Sequence, residues 1–249
     1  MSSKPNIRVG IGGWTFEPWR GVFFPEGLPH ARELEYAAAK MSAIEVNGTY
    51  YSTFKPETFR KWAAASPDDF VFALKASRFC TNRKVLAEAG ESVDRFLGQG
   101  IDQLGAKLGP ILWQFMPTKK FDAADFGAFL KLLPEKRDGL ALRHAVEVRH
   151  DSFEDPAFLA LARDAGVAVV FADKHGAPSI DEKTADFTYA RLQSAEEKIE
   201  TGYSAKALDD WADRTRGWAK GGRDVFVFMI NGAKVRAPAA ALALRERLE

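Results

Sequence analysis

The residues best suited to chemistry stand at the ends of short apolar runs that read as strands. Glu147 and Arg149 close one such run, two residues apart. Side chains alternate between the faces of a strand, so these two share a face and would lie about 7 Å apart at ~3.3 Å per residue. A carboxylate there can transfer a proton or bind a metal ion, and a guanidinium can hold an anion. The alternative is a buried ion pair with a purely structural role, since desolvated charges need partners.

A second carboxylate stands at the same position of an earlier apolar run. Glu45 and Asn47 end that run and share one face of the strand. If Glu45 and Glu147 face each other, they could act as acid and base, and their separation would indicate the stereochemistry if the substrate were a glycoside. The alternative for Glu45 is an ion pair with Lys75, at the end of the next run.

The run ends carry three cations and three carboxylates: Lys75, Arg149 and Arg191, with Glu45, Glu147 and Asp173. The guanidinium fork suits phosphate or carboxylate, so this set predicts a small polar or anionic ligand. A network of charges without a ligand is the alternative.

Amide and aromatic residues stand close to the same ends and could complete a binding site. Amides orient a polar ligand, and aromatic rings either stack on a sugar or base or simply cover the top of the fold. The candidates for ligand binding are Asn47, Gln114, Asn231, Trp14 and Tyr50.

His150 follows Arg149 and could act as an acid, a base or a ligand, so we count it with Glu147 and Glu45 as a catalytic candidate. The other histidines, His30, His144 and His175, show no metal-binding spacing. We therefore expect no cofactor. A divalent metal ion held by carboxylates is an alternative that no motif in the sequence supports.

The order of the predicted elements indicates how these residues come together. Eight runs rich in β-branched and aromatic residues predict strands at Arg8–Gly13, Ala43–Asn47, Phe70–Lys75, Ile111–Phe115, Ala145–Arg149, Val167–Asp173, Phe187–Leu192 and Val225–Asn231. Helical patterns follow at Ala31–Lys40, Pro56–Ala65, Glu91–Leu104, Ala123–Leu133, Pro156–Ala165, Ala205–Ala219 and Pro238–Leu248. The connection Lys174–Asp186 is short and poor in helix signals, so one unit should be irregular.

Strands that alternate with helices imply a parallel sheet, and eight units favour a closed TIM (β/α)8 barrel of the α/β class. The carboxyl ends of all eight strands then meet at one face. Alternation predicts that Glu45, Lys75, Glu147 and Arg149 point inside the barrel. In strand eight the same alternation predicts that Phe226, Phe228 and Ile230 point outward. Val227, Met229 and Asn231 would then point inward.

Composition sets the broad class of protein. The chain has 249 residues, with 35 Lys+Arg against 34 Asp+Glu, so no bulk field favours nucleic acid or membrane surface. We find no signal-peptide pattern and no run of 18 or more apolar residues. The single Cys80 has no general base to activate it and suits a reducing compartment. We expect one domain, 1–249, located in the cytoplasm. We expect no membrane partner and do not favour nucleic acid as a partner, and the sequence does not determine the oligomeric state.

The motifs around these positions resemble those of the DUF72 (YecE-like) family. The resemblance covers nearly the whole chain and includes Gly10-Ile11-Gly12-Gly13-Trp14, Trp19-Arg20-Gly21-Val22-Phe23-Phe24-Pro25, Glu45-Val46-Asn47-Gly48-Thr49-Tyr50-Tyr51, Phe72-Ala73-Leu74-Lys75, Leu108-Gly109-Pro110-Ile111-Leu112-Trp113-Gln114, Val146-Glu147-Val148-Arg149-His150, Thr184-Ala185-Asp186-Phe187-Thr188-Tyr189-Ala190-Arg191-Leu192 and Gly222-Arg223-Asp224-Val225-Phe226-Val227-Phe228.

The resemblance implies a TIM barrel of unestablished activity whose mouth carries the family positions Glu45, Asn47, Lys75, Gln114, Glu147, Arg149, His150, Asp173, Arg191 and Asn231. The chain departs from the pattern at Asn82, where histidine is frequent, at Gln193-Ser194, where His-Gly is frequent, and at Ile230-Asn231-Gly232, where Asn-Asn-Asp is frequent. These departures argue against a mechanism based on metal or histidine.

Together the residues predict an enzyme that acts on a small polar or anionic substrate by carboxylate acid/base chemistry, either a hydrolase or a lyase or isomerase. A nuclease or nucleic-acid binder that uses the same cations on phosphates is the first alternative. A ligand-binding protein without catalytic activity is the second, because fold does not imply function.

Overall fold

The computed structural model describes residues 6–230 and 232–249. In this part of the chain nine parallel strand segments form one sheet: β1 (Ile7–Gly12), β2 (Ala43–Val46), β3 (Val71–Lys75), β4 (Leu108–Gln114), β7 (His144–Glu147), β8 (Ala168–Val169), β9 (Phe171–Asp173), β10 (Phe187–Leu192) and β11 (Asp224–Met229). A separate antiparallel hairpin consists of β5 (Lys136–Arg137) and β6 (Leu140–Ala141).

The sheet closes on itself. Its strand order is β8-β7-β4-β3-β2-β1-β11-β10-β9, so β8 and β9 stand at the two ends of the order. These two segments are one residue apart in the chain, and the intervening Val170 donates its N–H to the carbonyl oxygen of Val146 at 2.9 Å. The segment 168–173 therefore pairs with β7 at its start and with β10 at its end. The predicted TIM barrel is confirmed.

Helices surround the barrel, and they include those that the sequence predicts, in the same order, together with two one-turn helices that it does not predict, after the second and third strands. The helices are α1 (Glu33–Lys40), α2 (Gly48–Tyr51), α3 (Pro56–Ala64), α4 (Arg78–Thr81), α5 (Gly90–Leu97), α6 (Ala123–Leu130), α7 (Pro156–Asp164), α8 (Ala205–Trp218) and α9 (Ala237–Leu248). Proline begins α3 and α7, and the Ser204 hydroxyl caps α8 by accepting from the N–H of Ala207 at 3.2 Å. Residues 174–186 form no helix or strand, which confirms the irregular unit.

The predicted helix Glu91–Leu104 is wrong in its second half. α5 ends at Leu97, and a 3-10 segment, Ile101–Lys107, follows instead. Gly100 has φ of 101°, a left-handed conformation that ends a right-handed helix and that glycine adopts readily.

Two apolar layers fill the structure, one between the sheet and the helices and one inside the barrel. Ile44, Phe72, Leu74 and Val146 pack in the outer layer. The inner layer contains small and aromatic side chains: Ala43, Val71, Ala73, Leu112, Ala145, Ala168, Val170, Phe187, Tyr189, Phe226, Phe228 and Ile230. The alternation predicted for strands two, three and five therefore holds, and it directs Glu45, Lys75 and Glu147 inward.

The predicted orientation of strand eight is wrong. Phe226, Phe228 and Ile230 pack inside the barrel, while Val227 and Met229 belong to the outer layer. β11 pairs in register with β1, which places Phe228 beside Gly10. A Cβ atom at Gly10 would meet the backbone of Ala43 on β2, so the close approach of these strands needs a glycine, and the sequence pattern alone does not reveal that pairing. Asn231 lies outside the described residues.

In the part of the chain that the structure describes, no helix combines the length and the apolar character that crossing a bilayer demands. The cytoplasmic location and the single-domain extent 1–249 stay predictions.

Candidate active site

Arg191 is the centre of a charge network inside the barrel. It lies near the end of β10, and only 1% of its surface is exposed. Its Nε donates to Oε2 of Glu45 at 2.9 Å, and its Nη2 donates to Oε1 of the same carboxylate at 2.9 Å. The hydroxyl of Tyr189 also donates to Oε2 of Glu45, at 2.7 Å. Glu45 on β2 is thus bound by two groups from β10.

Glu147, at the end of β7, is the second carboxylate of the network. Arg191 donates to its Oε2 through Nη1, and Gln114 donates to the same oxygen at 2.9 Å. Nε of Arg149 donates to Oε1 at 3.0 Å. Burial alone would raise the pKa of Glu147, but the charges of Arg191 and Arg149 and the hydrogen bond from Gln114 outweigh it and lower the pKa to about 2.

Every oxygen of the two carboxylates accepts at least one hydrogen bond. Two donors on each Oε2 and one on each Oε1 occupy most of the acceptor positions of the two carboxylates. Removing one member of a buried ion pair leaves an uncompensated charge, at a cost of roughly 3 to 5 kcal/mol. The geometry therefore suits Glu45 and Glu147 to fixing Arg191 and Arg149 in place.

Above this network a cavity of about 360 Å³ opens at the carboxyl ends of the strands. We call it the mouth cavity. It is lined by Gly12, Asn47, Tyr51, Lys75, Gln114, Arg149, Arg191, Ile230 and Lys234. Four of these side chains are cationic, and Glu45 and Glu147 lie beneath as buried counter-charges. The balance of these six groups is two positive charges, which favours an anionic ligand.

Lys75, at the end of β3, is 8% exposed and lines this cavity. Its ammonium lies 4.2 Å from the centre of the Tyr50 ring. Among the described residues, no carboxylate lies within ion-pairing distance of its Nζ. Burial, followed by repulsion from Arg191, lowers the pKa of Lys75 to about 8, although Glu45 and Glu147 oppose the shift. Lys75 therefore exchanges a proton close to neutral pH.

The structure brings most of the predicted residues together, with different roles. Asn47, Gln114, Lys75, Arg149 and Arg191 line the mouth cavity. The Glu45–Lys75 ion pair, which was the alternative for Glu45, is absent from the described contacts, because the fork of Arg191 occupies Glu45. Tyr50 lies under Lys75, and Asn82 Nδ2 donates to its hydroxyl at 3.0 Å.

Two predicted residues are held elsewhere. Nδ1 of His150 accepts from the N–H of Ser152 at 3.1 Å and so caps a short 3-10 helix. Asp173 accepts from the hydroxyl of Ser194 at 2.9 Å. Neither lines the mouth cavity. Asn231 cannot be assigned a place, since it falls outside the described residues.

Sequence reasoning missed two contributors to the site. Tyr189 shares a face of β10 with Arg191, two residues away, so strand periodicity could have found it. Lys234 lies beyond the last strand, in the 3-10 segment Lys234–Arg236, where no alternation fixes its direction. Burial lowers the pKa of Lys234, whose ammonium lies 4.5 Å from the ring centre of Phe16.

Over residues 6–230 and 232–249, no three or more His, Cys, Asp or Glu side chains gather in a way that could hold a metal ion.

A family model described as "Protein of unknown function DUF72" matches residues 8–249. The chain therefore belongs to the DUF72 family, as its motifs indicate. Among curated proteins, the UPF0759 protein YecE of Escherichia coli strain K12 is 27% identical over 150 residues, which are 59% of this chain and 50% of YecE. The match thus spans half the length of that curated relative.

Two solved structures place the fold among known barrels. The DUF72 family protein TM1631 of Thermotoga maritima is similar at a TM-score of 0.80 and 25% identity, over 98% of this chain and 99% of that one. The 3-keto-D-glucoside 4-epimerase YcjR of E. coli is similar at a TM-score of 0.57 and 15% identity, over 98% of this chain and 100% of that one. The second likeness shows the fold alone.

Proposed function

We propose that this DUF72 protein is an enzyme that binds a small anionic substrate in the mouth cavity and transfers a proton on it. The observation that carries the proposal is Lys75, which has no ion-pairing carboxylate among the described residues and lies in a cavity lined by Arg149, Arg191 and Lys234, with Glu45 and Glu147 buried beneath. Bringing four cations together costs electrostatic repulsion. This arrangement indicates that a negatively charged group of a ligand completes the site.

Arg149 is the anion-binding group. Its Nε is bound to Glu147, and among the described residues neither of its Nη groups has a hydrogen-bond partner. Glu147 thus orients the guanidinium and leaves its outer edge for a carboxylate or phosphate. Arg191, by contrast, uses Nε and both Nη groups on Glu45 and Glu147, so its role is to fix the two carboxylates.

Lys75 is the group that moves the proton. A catalytic acid or base works best with a pKa near the working pH, and Lys75 has a pKa of about 8. Glu147, with a pKa of about 2, is a weak base at neutral pH. The acid/base role first given to the carboxylates is therefore better assigned to Lys75.

The reaction class that fits these roles is abstraction of a proton next to a carbonyl group, as an isomerase or lyase performs it. Neutral Lys75 would take the proton, while Arg149 and Lys234 would stabilise the negative charge that develops on the substrate. Gln114 and Asn47 line the same cavity and can orient the carbonyl group.

Solvent exchange tests this proposal without knowledge of the product. A panel of phosphorylated sugars, 2-oxo acids and hydroxy acids is incubated with the protein in deuterium oxide, and mass spectrometry detects deuterium on carbon. We expect exchange in at least one compound, its loss in Lys75→Met, and no effect of Lys131→Met, which removes an exposed lysine on the barrel exterior. Exchange that persists in Lys75→Met, or its absence from every compound that binds, would contradict the proposal.

The same cations could instead contact the phosphates of a nucleic acid, and the structure offers a basic groove beside Arg83, Lys84, Lys119 and Lys120. Two of these groups are already engaged. Lys119 pairs with Asp125 at 2.6 Å, and Arg83 donates to the Phe79 carbonyl and the Ser92 hydroxyl, each at 2.6 Å. Tight binding of an oligonucleotide with a steep salt dependence would favour this alternative.

A further inference from the structure

A second hollow adjoins the mouth cavity. It measures about 410 Å³, and we call it the aromatic chamber. Its walls include three rings: Trp14 packs edge-on against Trp62 with ring centres 5.3 Å apart, and Phe54 lies 5.2 Å from Trp62. The lining is Gly12, Gly13, Trp14, Thr15, Val46, Asn47, Gly48, Phe54, Thr58, Trp62 and Lys234.

The two hollows share Gly12, Asn47 and Lys234. Gly12 ends β1 between them. A Cβ atom there would come within 3.1 Å of Asn47 Nδ2 and 3.2 Å of Ile230 Cδ1, so a larger residue would crowd the boundary between the hollows. The ammonium of Lys234 lies at the same boundary, 4.5 Å from the ring centre of Phe16 and 5.7 Å from that of Trp19.

The chemistry of the two hollows differs sharply. The mouth cavity is lined mainly by cations and amides, whereas the aromatic chamber adds three aromatic rings, Val46 and two threonines to the Asn47 and Lys234 that both hollows share. Each volume lies in the range of roughly 300 to 1,000 Å³ that small-molecule sites occupy. Small-molecule sites bind a ligand mainly through preformed apolar walls and orient it through a few charged or polar groups.

We propose that the substrate has two parts, an anionic group bound in the mouth cavity and a flat apolar group bound in the aromatic chamber. This inference rests on the proposed function and specifies its substrate class. Lys234, which lines both hollows, adds a second cation to Arg149 for the anionic group. The rings of Trp14 and Trp62 pack against the flat group, and burying it removes apolar surface from water.

The test compares two phosphate monoesters that differ only in the apolar part. Methyl phosphate and phenyl phosphate are titrated calorimetrically into the full chain at pH 7.5. We expect phenyl phosphate to bind at least tenfold more tightly, a preference that a buried aromatic ring readily supplies. Thr58→Phe, at a half-buried position in the chamber wall, should fill the chamber and reduce the preference to less than threefold.

Trp14→Ala should also reduce the preference, and it acts by removing a wall instead of filling the space. Phe79→Ala is the matched control, because Phe79 is 61% exposed and lines neither hollow. Equal affinity for the two esters in the unaltered protein would overturn the two-part substrate and leave the anion site standing. Failure of both esters to bind would overturn the anion site and the two-part substrate together.

Discussion

Arg191 and Glu45 face each other across the interior of the barrel, joined by two hydrogen bonds of 2.9 Å. Between their strands, β10 and β2, the sheet order places β11 and β1. The pair therefore ties together strands that do not touch through their backbones. Because Arg191 also bonds Glu147 on β7, one buried side chain connects three strands at the base of the mouth cavity.

The first prediction concerns this connection. Arg191→Lys keeps the charge but loses the fork that bonds both oxygens of Glu45, and one carboxylate is left without a full partner. We expect the free energy of unfolding to fall by about 3 kcal/mol. Urea denaturation measures it. Arg32→Lys is the matched control, since Arg32 makes the same forked contact with Glu35 on the surface. This substitution should leave the free energy of unfolding without a measurable change.

The second prediction concerns acid stability. Folding lowers the pKa of Glu147 from 4.5 to about 2. Between these two pH values the folded protein therefore binds fewer protons at Glu147 than the unfolded chain does. The stabilisation is fully present above pH 4.5 and is lost as the pH falls toward 2. Glu147→Gln should flatten the dependence of the urea midpoint on pH in this window, besides lowering it at pH 7. Parallel pH curves for both proteins would contradict the assignment.

The third prediction concerns the pH dependence of anion binding. Lys75 is protonated below its pKa of about 8 and loses its charge above it. A bound anion favours the charged form, so affinity should be high at pH 7 and fall as the pH rises beyond 8. Sulfate is a suitable probe because its own charge stays constant over this range. Lys75→Arg, which stays charged, should bind sulfate with little change between pH 7 and pH 9.5.

The fourth prediction concerns Cys80. The side chain is fully buried, and burial raises the pKa of its thiol to about 12 while Arg83 opposes the shift. Since the thiolate is the reactive form, the native protein should resist alkylation by iodoacetamide at pH 8 and react fully in urea. Mass spectrometry of the intact chain measures both. Rapid alkylation of the folded protein would show that Cys80 is accessible.

The sequence predicts the barrel well because its signals are periodic and local. Alternation along β2, β3 and β7 correctly turns Glu45, Lys75 and Glu147 inward. The same rule fails for strand eight, where both faces are apolar and alternation alone cannot decide which face turns inward. The extent of the helix after Glu91 fails because Gly98 and Gly100 end it.

The sequence predicts which residues belong to the site better than it predicts which of them bond to each other. Strand ends identify Arg149 and Arg191, but two cations and two carboxylates in one space can pair in several ways. The observed pairing depends on side-chain reach across the barrel, which sequence spacing does not contain. It makes Arg191 a structural partner and leaves Lys75 without an ion-pairing carboxylate in the part of the chain that the structure describes. Lys234 escapes prediction because it lies in an irregular segment.

We propose above all that the mouth cavity binds a small anion at Arg149, beside Lys75. Calorimetric titration with sulfate at pH 7 tests it most directly. We expect the unaltered protein to bind, Arg149→Met to bind about tenfold more weakly, as the loss of a charge-assisted contact implies, and Lys131→Met to match the unaltered protein. Equal affinities in all three proteins, or no binding at all, would contradict the claim.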